Sequence, residues 1–477
     1  MVEDFYASAI GCRIVRRDIR FNPPRRGKLF ESGIKKTIKF MNELFAAPER
    51  LGVLIVGLGG AVATTAVAGI ELLKEGKIGY EGLTLSQVPE NITSQLAKYE
   101  SLVFGGWDLS AADLASAAAT HNVLTLQQFQ AARTALEAIK PLPAVGSIEF
   151  CANVTGKNCI QTESHREAIE ILRENIRNFR SENRCDSVVM INLASTEKAV
   201  DRDSETFASL KSFEQALDTN APEISPAMFY AYAAIAEGVP FANFTPSVAA
   251  DVPALVEFAK QQNVPIAGKD GKTGQTMMKT VIAPGLRARA LKVEGWYSTN
   301  ILGNRDGLAL SDPESLKSKI NTKGSVLDEI LGYKVEDHLV DIRYYRPRGD
   351  NKESWDNIDI TGFLGQAMQI KINFLCKDSI LAAPLVIEIA RVLDLARRRG
   401  AVGVQEQMSV FFKLPQVENE AETQPIHALH KQEQMLFDWL AENPKQSAGA
   451  EEDSFNENGN RSATTIATSG ANENRNH

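Results

Sequence analysis

The segment 268–323 carries the side chains of this chain that are best suited to chemistry on a small molecule. Three blocks within it are rich in glycine, in lysine or in both: GKDGKTGQT at 268–276, NILGNRDG at 300–307 and LKSKINTK at 316–323. Glycines let backbone amides approach a ligand closely, and lysines supply positive charge and groups that transfer protons. The segment therefore predicts a site for an anionic small molecule.

The first block partly matches a phosphate-binding loop. Residues 271–273 fit the end of the pattern GxxxxGK[ST], but Ile266 stands where the first glycine belongs. This departure argues against hydrolysis of a nucleoside triphosphate. A looser nest of backbone amides for one phosphate group remains. We expect these amides to come from Thr273, Gly274, Gln275 and Thr276.

Lys319 and Lys323 are four residues apart in the third block. On a helix they would share a face, and two neighbouring ammonium groups lower each other's pKa, which suits proton transfer. Taken alone, the spacing fits two exposed lysines on a solvated helix better. A role in chemistry therefore depends on what the rest of the chain indicates.

A dinucleotide-binding unit is predicted before this segment. The apolar run LGVLIV at 51–56 ends in Gly57-Leu58-Gly59-Gly60, and 61–74 has the pattern of a helix. Such a turn lets a pyrophosphate lie on the amides at the start of the helix, here Ala61 and Val62. Because Val62 replaces the third glycine of the usual fingerprint, a glycine turn in another kind of α/β protein stays an alternative.

Two later apolar strands end in polar side chains. The stretch 101–108 ends in Asp108, where a carboxylate can bind a ribose hydroxyl, and 187–191 runs into Asn192 and a small polar cluster. An amphipathic helix at 252–262 and a strand at 264–268 follow. This alternation predicts an α/β fold with a parallel, doubly wound sheet, and we assign 1–276 to a Rossmann-like NAD-binding domain.

The pattern changes after 276. Residues 288–297, 335–345 and 369–374 resemble strands of an antiparallel or mixed sheet, which predicts an inserted α+β domain at 277–377. A helix is expected at 379–397, with Asp378 as its N-cap, and 378–442 is predicted to return to the first domain. The small polar residues of 443–477 predict a disordered tail.

Composition narrows the classes of function. The formal net charge is -8, which argues against general nucleic-acid binding, although arginines cluster between 13 and 26 as an arm for a partner or as a solvated segment. Five scattered cysteines without a CxxC pair indicate neither a disulfide framework nor a zinc site. The N-terminus does not resemble a signal peptide, and no apolar run reaches the ~18 residues of a membrane span. We expect a cytoplasmic protein without a membrane partner.

Eight blocks together resemble the inositol-3-phosphate synthases, also called myo-inositol-1-phosphate synthases. They span about residues 50 to 415 in the family's order. The blocks are GLGG at 57–60, FGGWD at 104–108, EGVPF at 237–241, GKDGKTGQT at 268–276, LGNRDG at 302–307, KSK at 317–319, GDNK at 349–352 and DSILAAP at 378–384.

The resemblance implies a cytoplasmic homotetrameric isomerase that uses NAD, and it makes 277–377 the catalytic and oligomerisation domain. Its reaction converts D-glucose 6-phosphate to 1D-myo-inositol 3-phosphate by oxidation at C5, enolisation, intramolecular aldol closure and reduction, the first step of inositol biosynthesis, which feeds phospholipid biosynthesis. A monovalent or divalent cation is implied as well, and its ligands remain unknown.

The resemblance also implies roles for single residues. Lys319 would exchange a proton with the C5 hydroxyl. Three further lysines, Lys323, Lys352 and Lys413, would hold phosphate or stabilise oxyanions, and Asp270 and Asp378 would position lysines and substrate hydroxyls. The implied cofactor residues are Gly57, Gly59, Gly60, Ala61, Val62, Asp108, Asn192, Asn304, Asp306 and Asp350.

Two departures from the family's motifs affect the cofactor site. Where many members have GGNNGST, this chain has GGAVATT at 59–65, so contacts to the pyrophosphate must come from Thr64, Thr65 or the backbone. Arg305 also replaces a common asparagine. Two other functions remain open: an NAD-dependent dehydrogenase of another sugar phosphate, which would accumulate NADH, and a catalytically silent family member that acts as a binding protein.

Overall fold

The computed structural model describes residues 46–151, 154–303, 326–419 and 422–442. The predictions for Asn304, Asp306, Lys319, Lys323 and the tail 443–477 lie outside the described residues.

The strands are β1 (Leu51–Val56), β2 (Leu102–Asp108), β3 (Leu142–Pro143), β4 (Ser187–Asn192), β5 (Phe241–Asn243), β6 (Pro265–Gly268), β7 (Lys292–Leu302), β8 (Asp337–Tyr344), β9 (Asn351–Thr361), β10 (Ala367–Lys377) and β11 (Gly403–Val404). The helices are α1 (Ala61–Lys74), α2 (Glu90–Thr93), α3 (Leu114–His121), α4 (Leu126–Glu137), α5 (His165–Glu182), α6 (Leu210–Asp218), α7 (Pro226–Ala236), α8 (Pro253–Gln261), α9 (Gly274–Ala288), α10 (Asp378–Arg398) and α11 (Leu429–Ala441), and residues 326–331 are also helical.

A parallel sheet forms the larger layer. Its strand order is β11-β6-β5-β4-β1-β2-β3, and each neighbouring pair is parallel. The part β3-β2-β1-β4-β5-β6 is the doubly wound order of dinucleotide-binding domains, which reverses direction between β1 and β4. The predicted α/β fold class is confirmed, and ligands of such sheets bind at this reversal, beyond the carboxyl ends of the strands.

Continuous apolar strands form this sheet because helices cover both of its faces. All six residues of β1 are buried. One core joins β1 and β2 to α1, α3 and α10, and the other packs α5, α7 and α8 against the opposite face. Burial on both sides explains why β1 lacks the alternation of a half-exposed strand.

Gly106 sets the spacing between β1 and β2. Its φ is 142°, and a Cβ built on it would lie 1.9 Å from the carbonyl oxygen of Ile55. A side chain at this position would therefore separate the two strands. The close pairing brings Asp108, at the end of β2, beside Gly59 in the turn that follows β1.

A second, mixed sheet has the order β10-β9-β7-β8. β9 is antiparallel to β7 and β10, whereas β7 and β8 are parallel. The inner face packs against α9 and 326–331 through an apolar core that contains Trp296 and Ile358. The outer face leaves large apolar side chains exposed, among them Tyr297, Leu339, Trp355 and Leu375.

Several boundaries differ from those predicted. Residue 288 still belongs to α9, and β7 begins four residues later than expected. Asp378 is the first residue of α10 and not its N-cap, which is Lys377. The pattern analysis missed β9 altogether, and this strand carries Lys352.

Candidate active site

The glycine turn after β1 is built to expose backbone amides. Gly57 has a φ of 83°, and the amide of Gly60 donates to its carbonyl oxygen at 3.0 Å, which closes the turn. No side chain caps the start of α1. The amides of the first helical turn are therefore available to an anion such as a pyrophosphate.

Thr64 and Thr65 do not supply hydroxyl donors to this turn. The Thr64 hydroxyl donates to the carbonyl oxygen of Gly60 at 2.9 Å, and the Thr65 hydroxyl donates to that of Ala61 at 2.7 Å. Both side chains thus bond back to their own helix. Of the two sources that the sequence left open for pyrophosphate contacts, this geometry favours the backbone.

Asp108 is held with both carboxylate oxygens in fixed positions. Oδ2 accepts from the amide of Gly59 at 2.9 Å, and Oδ1 accepts from the amide of Ser110 at 2.9 Å. The Asn158 side chain donates to the Asp108 carbonyl oxygen at 2.9 Å, and His121 Nε2 lies 2.8 Å from the Gly59 carbonyl oxygen. A carboxylate oxygen has more than one acceptor position, so each can also bind a ribose hydroxyl. Sequence analysis did not identify Asn158 or His121 as site residues.

The end of β4 contributes amide and carboxyl groups. Asn192 is buried, accepts from the amide of Ala194 at 3.1 Å and donates to Asn243 at 3.2 Å. Five residues later, burial raises the pKa of Glu197 to about 7, and its Oε1 accepts from the amide of Ala227 at 3.0 Å. Sequence analysis missed Glu197, because nothing in its neighbours indicates that this carboxyl is buried.

A first lysine–aspartate pair lies at the start of α9. Lys352 Nζ is 3.4 Å from Asp378 Oδ1, and the Thr273 hydroxyl donates to the same oxygen at 3.0 Å. A Cβ built on Gly274 would lie 3.6 Å from the Lys352 side chain. Lys352 therefore passes over the first turn of α9, where the phosphate nest was predicted.

The second pair joins residues that are far apart in sequence. Lys413 Nζ lies 2.8 Å from Asp270 Oδ1, and the Lys413 amide donates to the Asp270 carbonyl oxygen at 2.6 Å. Asp270 has a φ of 59°, in the left-handed region that aspartate tolerates better than most residues. Both side chains are buried, so an oxyanion near them would be little screened by water.

One cavity of about 720 Å³ connects the glycine turn with both pairs. It offers the groups that NAD needs, since it holds a helix N-terminus for the pyrophosphate and a carboxylate for the ribose. Lys352 and Lys413 line the same cavity. Its lining includes Gly57, Gly60, Ala61, Val62, Asp108, Asn192, Asp270, Thr273, Lys352, Asp378 and Lys413.

The other predicted site residues are placed differently or not described. Asp350 accepts from the Ser379 hydroxyl at 2.6 Å at the start of α10, and burial raises the pKa of this carboxyl. The Gln275 side chain is buried and donates to Asp356, so only the backbone amide of Gln275 can contribute to the phosphate nest. Asn304, Asp306, Lys319 and Lys323 lie in 304–325, outside the described residues. Among the residues that are described, no group of three or more His, Cys, Asp or Glu side chains could hold a metal ion.

The chain is similar to known proteins of one family. A family model described as myo-inositol-1-phosphate synthase matches residues 81–441. Inositol-3-phosphate synthase 1 of Bacteroides thetaiotaomicron is 44% identical over 412 residues, which cover 83% of this chain and 95% of that protein. Inositol-3-phosphate synthase of Saccharomyces cerevisiae is 32% identical over 399 residues, which cover 74% of each protein.

The fold is also similar to a solved structure. The crystal structure of inositol-3-phosphate synthase from Caenorhabditis elegans has a TM-score of 0.77 at 27% identity and covers 87% of this chain and 90% of that one. In the part of the chain that the structure describes, every helix is too short or too polar for a membrane span.

Proposed function

The chain belongs to the myo-inositol-1-phosphate synthase family, and we propose how its described residues carry out the family's reaction. The protein is an isomerase that converts D-glucose 6-phosphate to 1D-myo-inositol 3-phosphate with NAD. The observation that carries the assignment of residues is the single cavity that joins the glycine turn to two lysine–aspartate pairs. A redox-neutral cyclisation needs a nicotinamide site and stabilisation of oxyanions in one enclosed space.

The cofactor residues of this proposal lie at the carboxyl ends of β1, β2 and β4. The backbone amides of Ala61 and Val62 would hold the pyrophosphate, and Asp108 would bind a ribose. Asn192 would contact the cofactor between the pyrophosphate and the nicotinamide. When bound, NAD supplies the oxidation at C5 and the later reduction at the same carbon. The nicotinamide end would be completed by Asn304 and Asp306, and Asp350 would support it through Ser379.

The substrate phosphate would lie at the start of α9. Its amides and the positive end of the helix dipole favour an anion there. The Thr273 hydroxyl is bonded to Asp378, so Thr273 would contact the phosphate through its backbone amide. Lys352 supplies an ammonium group above the same turn. The amides of Gly274, Gln275 and Thr276 complete the nest.

The lysine–aspartate pairs are proposed to carry the negative charge that develops on substrate oxygens. An aspartate at 2.8 Å to 3.4 Å holds each ammonium group in a fixed position. The reaction forms an enolate and then an aldolate, and Lys352 and Lys413 would each stabilise such an oxygen. Proton exchange at C5 is assigned to Lys319, and Lys323 is assigned to phosphate or oxyanion binding.

The exposed outer face of the second sheet supports a homotetramer. Trp355 and Leu375 are 49% and 59% exposed, and Leu339 on β8 lies across from Tyr297 on β7. A soluble protein rarely leaves such a patch in contact with water, so we assign it to contacts between copies. The domain division 1–276, 277–377 and 378–442 is proposed with it, supported by the pairing of β11 with β6. A cation and a cytoplasmic location are proposed from the resemblance alone.

A product assay separates this function from the two alternatives. Purified protein is incubated with glucose 6-phosphate and NAD, with and without monovalent and divalent cations, while NADH absorbance and inositol released by a phosphatase are followed. The isomerase yields inositol phosphate without net NADH. A dehydrogenase accumulates NADH, and a silent binding protein forms neither product under any of the ion conditions.

A further inference from the structure

A buried polar cluster lies directly behind the proposed phosphate nest. We call it the Asp356 cluster, and it contains Gln275 of α9, Trp296, Ser298 and Asn300 of β7, and Asp356 of β9. None of the five side chains is more than 3% exposed. Ser298 is the direct cross-strand partner of Asp356. The cluster therefore occupies the inner face of the second sheet, where the apolar core would otherwise continue.

One carboxylate oxygen organises this cluster. Asp356 Oδ1 accepts from Trp296 Nε1 at 2.7 Å, from the Ser298 hydroxyl at 2.7 Å and from Gln275 Nε2 at 3.1 Å. The other end of the Gln275 amide is held as well, because its Oε1 accepts from Asn300 Nδ2 at 2.5 Å. Both ends of the Gln275 side chain are thus fixed to the sheet.

These bonds matter most for the first turn of α9. The backbone ladder already fixes β7 against β9, so the sheet does not need the cluster to keep its register. The apolar contacts of α9 with this sheet come from Ala283 and Leu286, more than two turns later. Between Gln275 and Ala283 along the helix, Lys279 contacts the sheet through a polar group, because its Nζ lies 2.6 Å from His338 Nε2. The start of the helix is therefore held to the sheet by polar side chains.

Lys352 is on the same strand face as Asp356. The two residues are four apart on β9, so their side chains point to the same side of the sheet. Lys352 passes over Gly274 while Asp356 holds Gln275, the next residue of α9. Asp356 therefore links the start of α9 to the strand that carries Lys352, beside the contacts that Thr273 and Lys352 make with Asp378.

We propose that Asp356 is a positioning residue that fixes the first turn of α9 against Lys352, and so sets the affinity of the enzyme for the phosphate of its substrate. The identity of that substrate rests on the proposed function. Asp356 acts through Gln275, because it is buried behind α9 and is not among the residues that line the cavity. The inference therefore predicts a defect in phosphate binding that leaves cofactor binding intact.

The test uses Gln275→Met, which removes the link but keeps the peptide amide of the nest. Losing such hydrogen bonds should raise the KM for glucose 6-phosphate about fivefold to tenfold, with kcat and the Kd for NAD within about twofold of the wild type. Binding of inorganic phosphate, measured by calorimetry, should weaken by a similar factor. Asp356→Asn should weaken phosphate binding too. Because both substitutions break the same link, the double variant should have a KM less than about twofold above that of Gln275→Met alone.

The matched control is Thr280→Val on the same helix. The Thr280 hydroxyl is buried and donates to the Met277 carbonyl oxygen at 2.8 Å within α9, without a link to the sheet. Equal changes in KM for Gln275→Met and Thr280→Val would overturn the inference. It would also be overturned if Gln275→Met weakened NAD binding by the same factor as phosphate binding. If the wild type forms no inositol phosphate, the proposed function fails, whereas the calorimetric comparison still decides the role of Asp356.

Discussion

Replacing Asp108 by asparagine tests the cofactor end of the cavity. The asparagine keeps a carbonyl oxygen that can accept from the Gly59 amide, whose present bond to Asp108 is 2.9 Å long. The glycine turn should therefore survive. What is lost is the acceptor for the Ser110 amide and the negative charge that faces the cavity at the end of β2.

The size of the effect follows from the kind of hydrogen bond that is changed. Bonds to a charged group contribute about 1.5–3 kcal/mol and neutral ones about 0.5–1.5 kcal/mol. If both oxygens of Asp108 bind ribose hydroxyls, the difference amounts to about 2–3 kcal/mol. Because 1.4 kcal/mol corresponds to a factor of ten, the Kd for NAD should rise about 30-fold to 140-fold. The preference for NAD over NADP should shrink, since the carboxylate no longer repels a 2′-phosphate.

Titration of NAD and NADP into wild type and variant, followed by calorimetry, measures both quantities. The control is Asp113→Asn, which removes a nearby carboxylate that caps α3 through the Ser116 amide at 2.8 Å. The reasoning is refuted if Asp108→Asn changes the Kd for NAD by less than about twofold, or if Asp113→Asn weakens binding as much.

Three further outcomes are expected. Lys352→Met should lower kcat at least about 100-fold in the product assay while NAD affinity stays near that of the wild type, and an unchanged kcat would remove Lys352 from the mechanism. Burial lowers the pKa of Lys272 to about 7 from an ordinary value of 10.5. Between pH 7 and pH 10.5 the unfolded chain therefore binds more protons than the folded chain, so the free energy of unfolding rises with pH in this range. Urea unfolding of Lys272→Met should lack this part of the rise, and an unchanged slope would contradict the assignment. Trp355→Asp should reduce the mass seen in light scattering from a tetramer to smaller species, whereas Leu126→Asp, on exposed α4, should leave the mass unchanged.

The parallel sheet was predictable because its signals are local. A continuous apolar strand, a glycine turn and a helix follow each other within 51–74, and the structure has all three. The missed strand β9 shows where such signals stop. Its inner face holds Lys352, Ser354 and Asp356 before it reaches Ile358, so the residues near the site replace the apolar alternation that would identify a strand.

The contacts of the site were less accessible to sequence reasoning than its residues. Lys413 and Asp270 are 143 positions apart, and no spacing rule connects them. Asp378 has the residue type of an N-cap, but Thr273 and Lys352 engage its carboxylate. Tertiary contacts therefore determine its role. His427 lies in a polar stretch of the sequence, yet the structure buries it, and burial lowers its pKa to about 4. Its 2.8 Å contact with Glu329 is therefore a hydrogen bond of a neutral imidazole at pH 7.

The redox-neutral cyclisation itself is tested most directly with glucose 6-phosphate deuterated at C5. In this reaction the hydrogen that leaves C5 on oxidation returns to C5 on reduction within the same enclosed cavity. Mass spectrometry of the product, with NADH absorbance recorded in parallel, measures its fate. We predict inositol phosphate that retains the deuterium while NADH does not accumulate. Loss of the deuterium from the product, or accumulation of NADH without inositol phosphate, would contradict the account.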